Sequence, residues 1–288
     1  MKISVSILCY NYGRFLADAI ESVLAQDQRA DILVVDDGST DDTPEVCAAY
    51  AGRIRVLRDT NQGFAASLTR AIEHAQGDYV CLLDADDYFA PGKLARIRRE
   101  LERPNVLYVD HAQVIVDERR REISGARGAG STSSICVSRA AALQLLPLEN
   151  EVALQVILKA GAGVRLAEPL GYYRVHGASM TNRKAPGLQN DYLAGIHHRL
   201  AERLRHLSPL PGWLGSARAA EAIARDFGAT AHYNELEAAL ERGLAPAARR
   251  ACLAMLRTAF GSATGYSTLH ARMLVKTLLM RPSFPKHG

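Results

Sequence analysis

Short apolar runs alternate with amphipathic segments through the first third of the chain. In "ISVSILC" apolar residues recur at every second position, the period of a β-strand, whereas in "RFLADAIESVLAQ" they recur at helical spacing. The same alternation predicts strands over 3–9, 31–37, 54–59 and 79–83 and helices over 14–26, 44–50 and 63–77. Strands and helices in unbroken succession are typical of a doubly wound, mostly parallel α/β sheet with helices on both faces.

The pattern becomes less regular after residue 90. The helix over 63–77 is predicted to end at Gly77, because a residue without a Cβ atom suits a helix C-cap. Later segments predict a helix over 93–104, a strand or hairpin over 105–117, a charged glycine-rich loop over 118–131, helices over 138–146 and 151–161, and a strand with an irregular extension over 164–181. We therefore expect an α/β domain over residues 1–188 and a helical C-terminal extension over 189–288.

Three carboxylates follow the most apolar of these runs. The run "YVCLL" suits a strand that is buried on both faces, and Asp84, Asp86 and Asp87 come directly after it. Two like charges about 4 Å apart repel by roughly 1 kcal/mol in water and by several times more near a protein surface. Ligands of parallel sheets bind beyond the carboxyl ends of the strands. The cluster therefore predicts a bound cation at that edge of the sheet.

Composition and charge narrow the class of protein. The formal net charge of +4 over 288 residues is too small to indicate a nucleic-acid partner. The five cysteines form no Cys-x-x-Cys pair and are typical of reduced thiols in a cytosolic protein. No apolar run approaches the roughly 20 residues of a membrane span. We expect a cytoplasmic protein that binds no nucleic acid.

Five motifs in a fixed order resemble those of the inverting family-two glycosyltransferases of GT-A fold. They are "VSILCYNYGRFLADAIESVLAQ", "ILVVDDGSTDDT", "NQGFAASLTRAI", "GDYVCLLDADDYFAPGKL" and "EPLGYYRVHGAS", and they cover roughly residues 3–180. A D-x-D pair alone occurs by chance, but five motifs in this order are a strong signal. The resemblance implies a nucleotide-sugar donor, with a UDP-sugar favoured, and a glycan or lipid-linked acceptor in surface polysaccharide synthesis.

The resemblance also implies a divalent metal ion, Mn²⁺ or Mg²⁺, and a set of donor-binding residues. Asp86 would be the main metal ligand at the two phosphates, and Asp84 would contact ribose or metal-bound water. Asp37 would accept a hydrogen bond from the nucleotide base with support from Asp36, and Tyr10 would stack against or flank the base. Taken alone, "DDGSTDDT" fits a turn and a helix cap equally well.

Two further motifs of the resemblance add candidate binding residues. Arg174 and His176 of "YYRVHGAS" would approach the diphosphate or the metal, which makes His176 a candidate metal ligand. A histidine beside an apolar strand is equally often structural. Asn61 and Gly63 would shape a loop near the base, where other family members carry a basic residue and this chain does not.

Two glutamates are candidates for the general base. An inverting transfer needs a group that takes the proton of the acceptor hydroxyl, and family members place it in an acidic pair at the start of a helix. The matching segment "LPLENEVALQVILKAG" offers Glu151 first and Glu149 second, with Asn150 and Val152 where a second acid is expected. Alternatively, both glutamates only favour the positive end of the helix that begins there.

Two other functions stay open at this point. An apolar strand that ends in D-x-D also resembles the haloacid-dehalogenase-like phosphohydrolases, but those carry the motif on their first strand and usually have Thr or Val where Tyr88 stands here. The irregular acid pair at 149–152 would also suit a non-catalytic module that binds a nucleotide-sugar.

The C-terminal tail carries a separate signal. Residues 249–288 contain seven Lys or Arg and no Asp or Glu, and Arg272 and Lys276 lie one helical turn apart beside apolar residues. A basic amphipathic helix can lie on an anionic membrane surface, although apolar residues at this spacing commonly pack on their own domain. The tail therefore predicts either peripheral contact with the inner face of the cell membrane or ordinary packing.

Overall fold

The structure divides into two compact units. A computed structural model describes residues 1–127, 130–177 and 185–259. The first unit comprises residues 1–177 and the second residues 178–288. The domain boundary that the sequence places after residue 188 stays a prediction.

The first unit contains the strands that the structure describes and the helices that connect them. The strands are β1 (Ile3–Cys9), β2 (Asp31–Asp36), β3 (Arg55–Arg58), β4 (Tyr79–Asp84), β5 (Tyr88–Phe89), β6 (Tyr108–Val116), β7 (Glu122–Arg127), β8 (Cys136–Ser138) and β9 (Gly163–Arg174). The helices are α1 (Gly13–Leu24), α2 (Thr43–Ala49), α3 (Phe64–His74), α4 (Lys93–Leu101), α5 (Arg139–Leu143) and α6 (Gln155–Lys159). Short 3₁₀ turns cover Thr132–Ser134 and Glu151–Leu154.

The strands form one sheet in the order β3-β2-β1-β4-β8-β6-β9-β5, and β7 pairs with β6. β1 to β4 are mutually parallel where they pair, β8 runs antiparallel between β4 and β6, and β9 is parallel to β6. Cys9 lies opposite Asp36, and Leu8 lies opposite Asp84. The ends of β1, β2 and β4 therefore meet at one edge of the sheet.

Helices cover both faces of the parallel part of the sheet. Val5 and Ile7 of β1 pack into one apolar cluster with residues of α1, α2 and α4. Ser6 points to the opposite face, where its hydroxyl donates to the carbonyl of Ala71 in α3. The period of two in β1 thus separates the two layers. The predicted α/β fold with helices on both faces is confirmed.

Two sequence predictions differ from the structure. α3 ends at His74, and Gly77 does not cap it. A Cβ atom at Gly77 would lie 2.6 Å from the backbone nitrogen of Ser4, so this glycine allows the chain to pass close to β1. The segment 118–131 is not only a loop, because β7 forms within it and pairs with β6. Asp117 accepts hydrogen bonds from the backbone nitrogens of Arg119 and Arg121, which forms the turn of this hairpin.

The second unit is helical where it is described. Its helices are α7 (Leu188–Arg205), α8 (Ala217–Glu241) and α9 (Ala245–Ala259). Ala248, Ala251 and Cys252 of α9 pack against Leu236 and Ala239 of α8. Most of the predicted basic tail, residues 260–288, lies outside the described residues. Among the described residues, none of the helices combines the length and apolar character that crossing a membrane requires.

Candidate active site

An acidic cluster lies at the carboxyl end of β4, where the sequence predicts a cation. Asp84 ends the strand, and its backbone nitrogen donates to the Ser133 hydroxyl over 2.9 Å. Asp86 Oδ2 lies 2.9 Å from Nε2 of His176, whose side chain is fully buried. Asp87 is also buried and accepts a hydrogen bond from the backbone nitrogen of Arg174. Asp84 and Asp86 thus remain as candidate ligands, while Asp87 anchors the end of β9.

The electrostatics of this cluster fit a divalent cation. Burial, together with the negative charges of Asp87, Asp86 and Glu151, raises the pKa of Asp84 well above its ordinary value. A carboxylate that resists ionisation for these reasons is stabilised in its charged form when a cation binds beside it. Hard cations such as Mg²⁺ and Mn²⁺ take carboxylate oxygens as ligands. Asp84 and Asp86 would hold such an ion, and the His176 imidazole beside Asp86 is a candidate nitrogen ligand.

The rings of Tyr12, Phe15 and His176 form an aromatic wall beside the acidic cluster. The rings of Tyr12 and Phe15 lie 5.3 and 4.8 Å from the His176 ring, measured between centroids. Burial, and then the charges of Asp86 and Asp84, raise the pKa of Tyr12. Tyr12 is therefore next to both carboxylates, although the sequence prediction selected only Tyr10 from "CYNYG". The signal available in the sequence was a second aromatic residue, three positions after a strand that ends at the ligand edge.

The predicted base-binding loop is held by buried aspartates. Asp37 is 4% exposed, and its two carboxylate oxygens accept from the backbone nitrogens of Gln62 and Gly63 at 2.9 and 2.8 Å. Asp36 accepts from the Ser39 nitrogen at 2.9 Å. Asp36 thus has the turn contact that the alternative interpretation expects, whereas Asp37 connects the end of β2 to the residues before α3. Any contact of Asp37 with a base would add to these bonds.

Other parts of this loop stay open to solvent. Tyr10 is 46% exposed directly after β1, and Asn61 is also exposed. Gly38 has a φ of +77°, and a Cβ atom there would lie 2.7 Å from the Asn61 nitrogen. Glycine at this position therefore lets the segment that follows β3 approach the end of β2. Tyr10 and Asn61 lie on the accessible side of this junction.

Arg174 lies inside the protein at the end of β9. It is 1% exposed, and its guanidinium forms an ion pair of 2.7 Å with Asp18 of α1. The same guanidinium lies over the ring of Phe15, 4.5 Å from its centroid. These contacts tie α1 to β9 behind the aromatic wall. The predicted contact of Arg174 with a diphosphate has no support from this arrangement and stays a prediction.

The two candidate bases occupy different surroundings. Glu149 is exposed, whereas Glu151 is half-buried and its charge acts on Asp84. Asn150 accepts a hydrogen bond from the Val152 nitrogen at 3.0 Å and so caps the turn Glu151–Leu154. The asparagine at the position of an expected acid therefore fixes the turn that carries Glu151. Glu151 thus lies close enough to the acidic cluster for its charge to raise the pKa of Asp84.

Known glycosyltransferases share sequence with this chain. The model of glycosyl transferase family 2 matches residues 4–146. An uncharacterized glycosyltransferase of Nostoc sp. is 31% identical over 213 residues, which is 62% of this chain and 66% of that protein. The succinoglycan biosynthesis protein ExoU of Rhizobium meliloti is 34% identical over 119 residues, 38% of this chain and 35% of that protein. The chain thus spans less than two thirds of either relative.

Solved structures share the fold at low sequence identity. TarS of S. aureus in complex with UDP-GlcNAc matches with a TM-score of 0.63 and 15% identity, over 90% of this chain and 81% of that chain. Glucosyl-3-phosphoglycerate synthase from Mycobacterium tuberculosis, in complex with Mn²⁺, UDP and glucosyl-3-phosphoglycerate, matches with a TM-score of 0.50 and 17% identity over 69% of this chain and 80% of that chain. The fold is therefore that of GT-A enzymes, and through residues 4–146 this chain belongs to glycosyl transferase family 2.

Proposed function

We propose that this chain transfers a sugar from a nucleoside-diphosphate donor to a hydroxyl of a glycan or lipid-linked acceptor, with inversion at the anomeric carbon. A UDP-sugar is the favoured donor, because TarS and the mycobacterial synthase bind UDP compounds. The product class is a surface polysaccharide, as suggested by the relative in succinoglycan biosynthesis. A cytoplasmic location belongs to the same proposal and rests on the sequence.

The observation that carries the proposal is the pair of carboxylates at the end of β4, Asp84 and Asp86, with a third carboxylate nearby. The charge of Glu151 acts on the half-buried Asp84, as does the charge of Asp86. A divalent cation held by Asp84 and Asp86 would stabilise the charge on the departing diphosphate. The Mn²⁺ in the structure of the mycobacterial synthase supports this choice of ion.

The remaining roles fall to side chains around the cluster. Glu151 takes the proton of the acceptor hydroxyl while that oxygen bonds to the anomeric carbon and the bond from this carbon to the diphosphate breaks. The electron pair of that bond leaves with the diphosphate. Tyr12, Phe15 and His176 exclude water from one side of the carboxylates. Tyr10 is exposed where the nucleotide base would stack, and Asp37 holds the neighbouring backbone.

Asp86 provides the direct test of this proposal. Asp86→Asn keeps the shape of the side chain and removes its charge, so we expect sugar transfer to fall by at least about a hundredfold, the scale of losing one electrostatic contact to the transition state. Asp78→Asn is the matched control, because Asp78 precedes the same strand at its other end and is 64% exposed. Nucleotide-sugars are first screened by thermal shift with Mn²⁺, and transfer is then measured with the donor that binds. Full transfer by Asp86→Asn at limiting Mn²⁺ would contradict the metal assignment.

A non-catalytic donor-binding module is the second candidate. It is favoured by one observation, the Asn150 and Val152 that stand beside Glu151 in place of a second acid. Slow hydrolysis of the donor in the absence of an acceptor separates the two functions. An enzyme shows both Mn²⁺-dependent donor binding and hydrolysis, whereas a binding module shows binding alone. The phosphohydrolase alternative has no support from the family match.

A further inference from the structure

Three metal-ligand side chains converge in the helical unit, outside the acidic cluster of the sheet. His198 comes from α7, and His232 and Glu235 lie three residues apart on α8. His198 Nε2 is 2.8 Å from Glu235 Oε1, and His232 Nδ1 is 2.8 Å from Glu235 Oε2. The ligand atoms of all three residues lie within 4.8 Å of one another. Two helices thus direct two imidazoles to one carboxylate.

This convergence differs from the ordinary histidine–glutamate pair on the same helix. At the end of α7, His206 meets Glu202 with side chains 75% and 63% exposed. In the three-residue group the side chains of His198, Glu235 and His232 are 41%, 40% and 22% exposed, and His198 lies on a different helix from the other two. The two imidazole rings are 4.9 Å apart in a T-shaped arrangement. Such a group keeps its ligand atoms together because the packing of α7 on α8 fixes them.

We propose that His198, His232 and Glu235 bind a transition-metal ion, Zn²⁺ foremost, that ties α7 to α8. Imidazole nitrogens and a carboxylate oxygen are ligands that Zn²⁺ prefers, at about 2.0–2.2 Å from the metal. Tetrahedral ligands at those bond lengths lie about 3.3 Å apart. The 2.8 Å contacts and the 4.8 Å limit bracket this separation, so small side-chain rotations are enough. Mg²⁺ and Ca²⁺ are disfavoured here because they take oxygen ligands.

A solvent-accessible cavity leaves room for the remaining ligand position. A cavity of about 440 Å³ adjoins the group and is lined by His198 and His232 together with Glu202 and Arg205. A water molecule from this cavity can complete four-coordination, as in zinc sites with three protein ligands. Each imidazole binds in the neutral tautomer whose unprotonated nitrogen faces Glu235. The carboxylate charge then balances part of the charge of the ion.

Equilibrium dialysis of the tag-free, full-length chain against ZnCl₂, followed by elemental analysis, tests the proposal. We expect His198→Gln and His232→Gln each to bind one Zn²⁺ fewer per chain, or to bind it at least about tenfold more weakly. His206→Gln is the matched control, because it removes a histidine of the same helix that faces one glutamate only. Asp86→Asn, measured in parallel, shows which part of the Zn²⁺ belongs to the acidic cluster of the sheet.

A second measurement keeps the test independent of folding defects. Circular dichroism confirms that each variant is helical, and thermal unfolding is recorded with and without Zn²⁺. Since the ion binds the folded chain, Zn²⁺ should raise the Tm of the wild type and of His206→Gln by more than it raises the Tm of His198→Gln. Three results would each overturn the proposal. They are unchanged Zn²⁺ affinity in both His198→Gln and His232→Gln, an equal loss of Zn²⁺ in His206→Gln, and the loss of all Zn²⁺ in Asp86→Asn.

Discussion

Asp84 and Asp86 are two residues apart and have different surroundings. Asp84 is a half-buried acid whose pKa is raised by desolvation and by its charged neighbours. Asp86 is 14% exposed and has an imidazole within hydrogen-bond distance. A carboxylate that is oriented by a buried histidine is ready to bind a cation with little loss of side-chain entropy. This difference explains why Asp86 is the better candidate for the main metal ligand.

Glu151 gives a prediction at the same scale. Glu151→Gln should lower the rate of the chemical step by about a hundredfold to ten-thousandfold, because an amide cannot accept the proton of the acceptor hydroxyl. Donor affinity should change little, since removal of a general base acts on the chemical step. Single-turnover transfer and donor titration measure the two effects separately. Glu149→Gln, two positions earlier and exposed, is the matched control and should retain most of the rate.

The reverse order would identify Glu149 as the base. Equal, near wild-type rates in both variants would place the base on another residue. Either result would leave the metal assignment intact, because Asp86 is tested by a different substitution. The two roles can therefore fail independently.

At the scale of the elements, α4 is fixed to the sheet by a buried charge. Lys93 is fully buried, its Nζ donates to the Ser133 carbonyl at 2.9 Å, and it lies 3.5 Å from the centroid of the Phe89 ring. Burial lowers the pKa of Lys93 from 10.5 to about 8. Between these two values the unfolded chain binds the proton more strongly than the folded chain. The contribution of Lys93 to the free energy of unfolding therefore rises as pH increases from about 8 to 10.5.

Lys93→Met isolates this contribution. We expect the wild type to gain stability relative to the variant by up to about 3 kcal/mol between pH 8 and pH 10.5, at roughly 1.4 kcal/mol per pKa unit. Only the difference between the wild type and Lys93→Met isolates the effect of Lys93, because buried thiols lower the stability of both proteins as pH rises. Burial raises the pKa of Cys9 to about 12, so ionisation of this thiol in the unfolded chain lowers stability above pH 9. Urea unfolding at several pH values measures the stability difference between the wild type and Lys93→Met. Lys159→Met, at an exposed position, is the control.

A constant difference between wild type and Lys93→Met across this range would contradict the depressed pKa. The same result in Lys159→Met as in Lys93→Met would show that the effect does not depend on burial. The buried contact of Nζ with Ser133 matters for the site as well. Ser133 also accepts from the Asp84 nitrogen, so α4 and the acidic cluster share one anchoring residue.

Elements with their own periodicity could be predicted from the sequence, and elements defined by distant partners could not. β1, α1 and β2 carry complete strand or helix patterns within their own residues. β5 consists of Tyr88 and Phe89 and exists because these residues pair with Tyr172 and Gly171 of β9. β8 covers only Cys136–Ser138, between β4 and β6. Two or three residues carry no periodicity, so only the assembled sheet defines them.

The candidate site divides in the same way at the scale of the whole molecule. The acidic cluster could be predicted because it follows a strand whose carboxyl end must lie at the ligand edge. The contact between His176 and Asp86 joins residues 90 positions apart, and its geometry depends on how β9 lies in the sheet. The same holds for the ion pair of Arg174 with Asp18, which are 156 positions apart. Site residues that belong to a local motif could be predicted from the sequence. Their contact partners, which are distant along the chain, could be identified only from the fold.

The basic tail gives the last prediction, at the scale of the whole chain. Truncation after Ala259 is the suitable deletion, because α9 packs against α8 and has to be kept. Four basic residues follow this point, Arg272, Lys276, Arg281 and Lys286. If the tail lies on an anionic membrane, sedimentation with liposomes should increase with anionic-lipid content, decrease with salt and disappear on truncation.

A charge substitution refines this test without deleting any residue. Arg272→Gln combined with Lys276→Gln should weaken liposome binding by about 2 kcal/mol, or roughly thirtyfold, since each basic side chain near the surface contributes about 1 kcal/mol. Arg29→Gln combined with Arg218→Gln is the matched control, because both residues are exposed and lie outside the tail. If the full-length chain stays in the supernatant at low salt with abundant anionic lipid, the membrane prediction is wrong. A soluble glycan would then be the acceptor to test first, because a lipid-linked acceptor requires the active-site edge of the sheet to approach a bilayer.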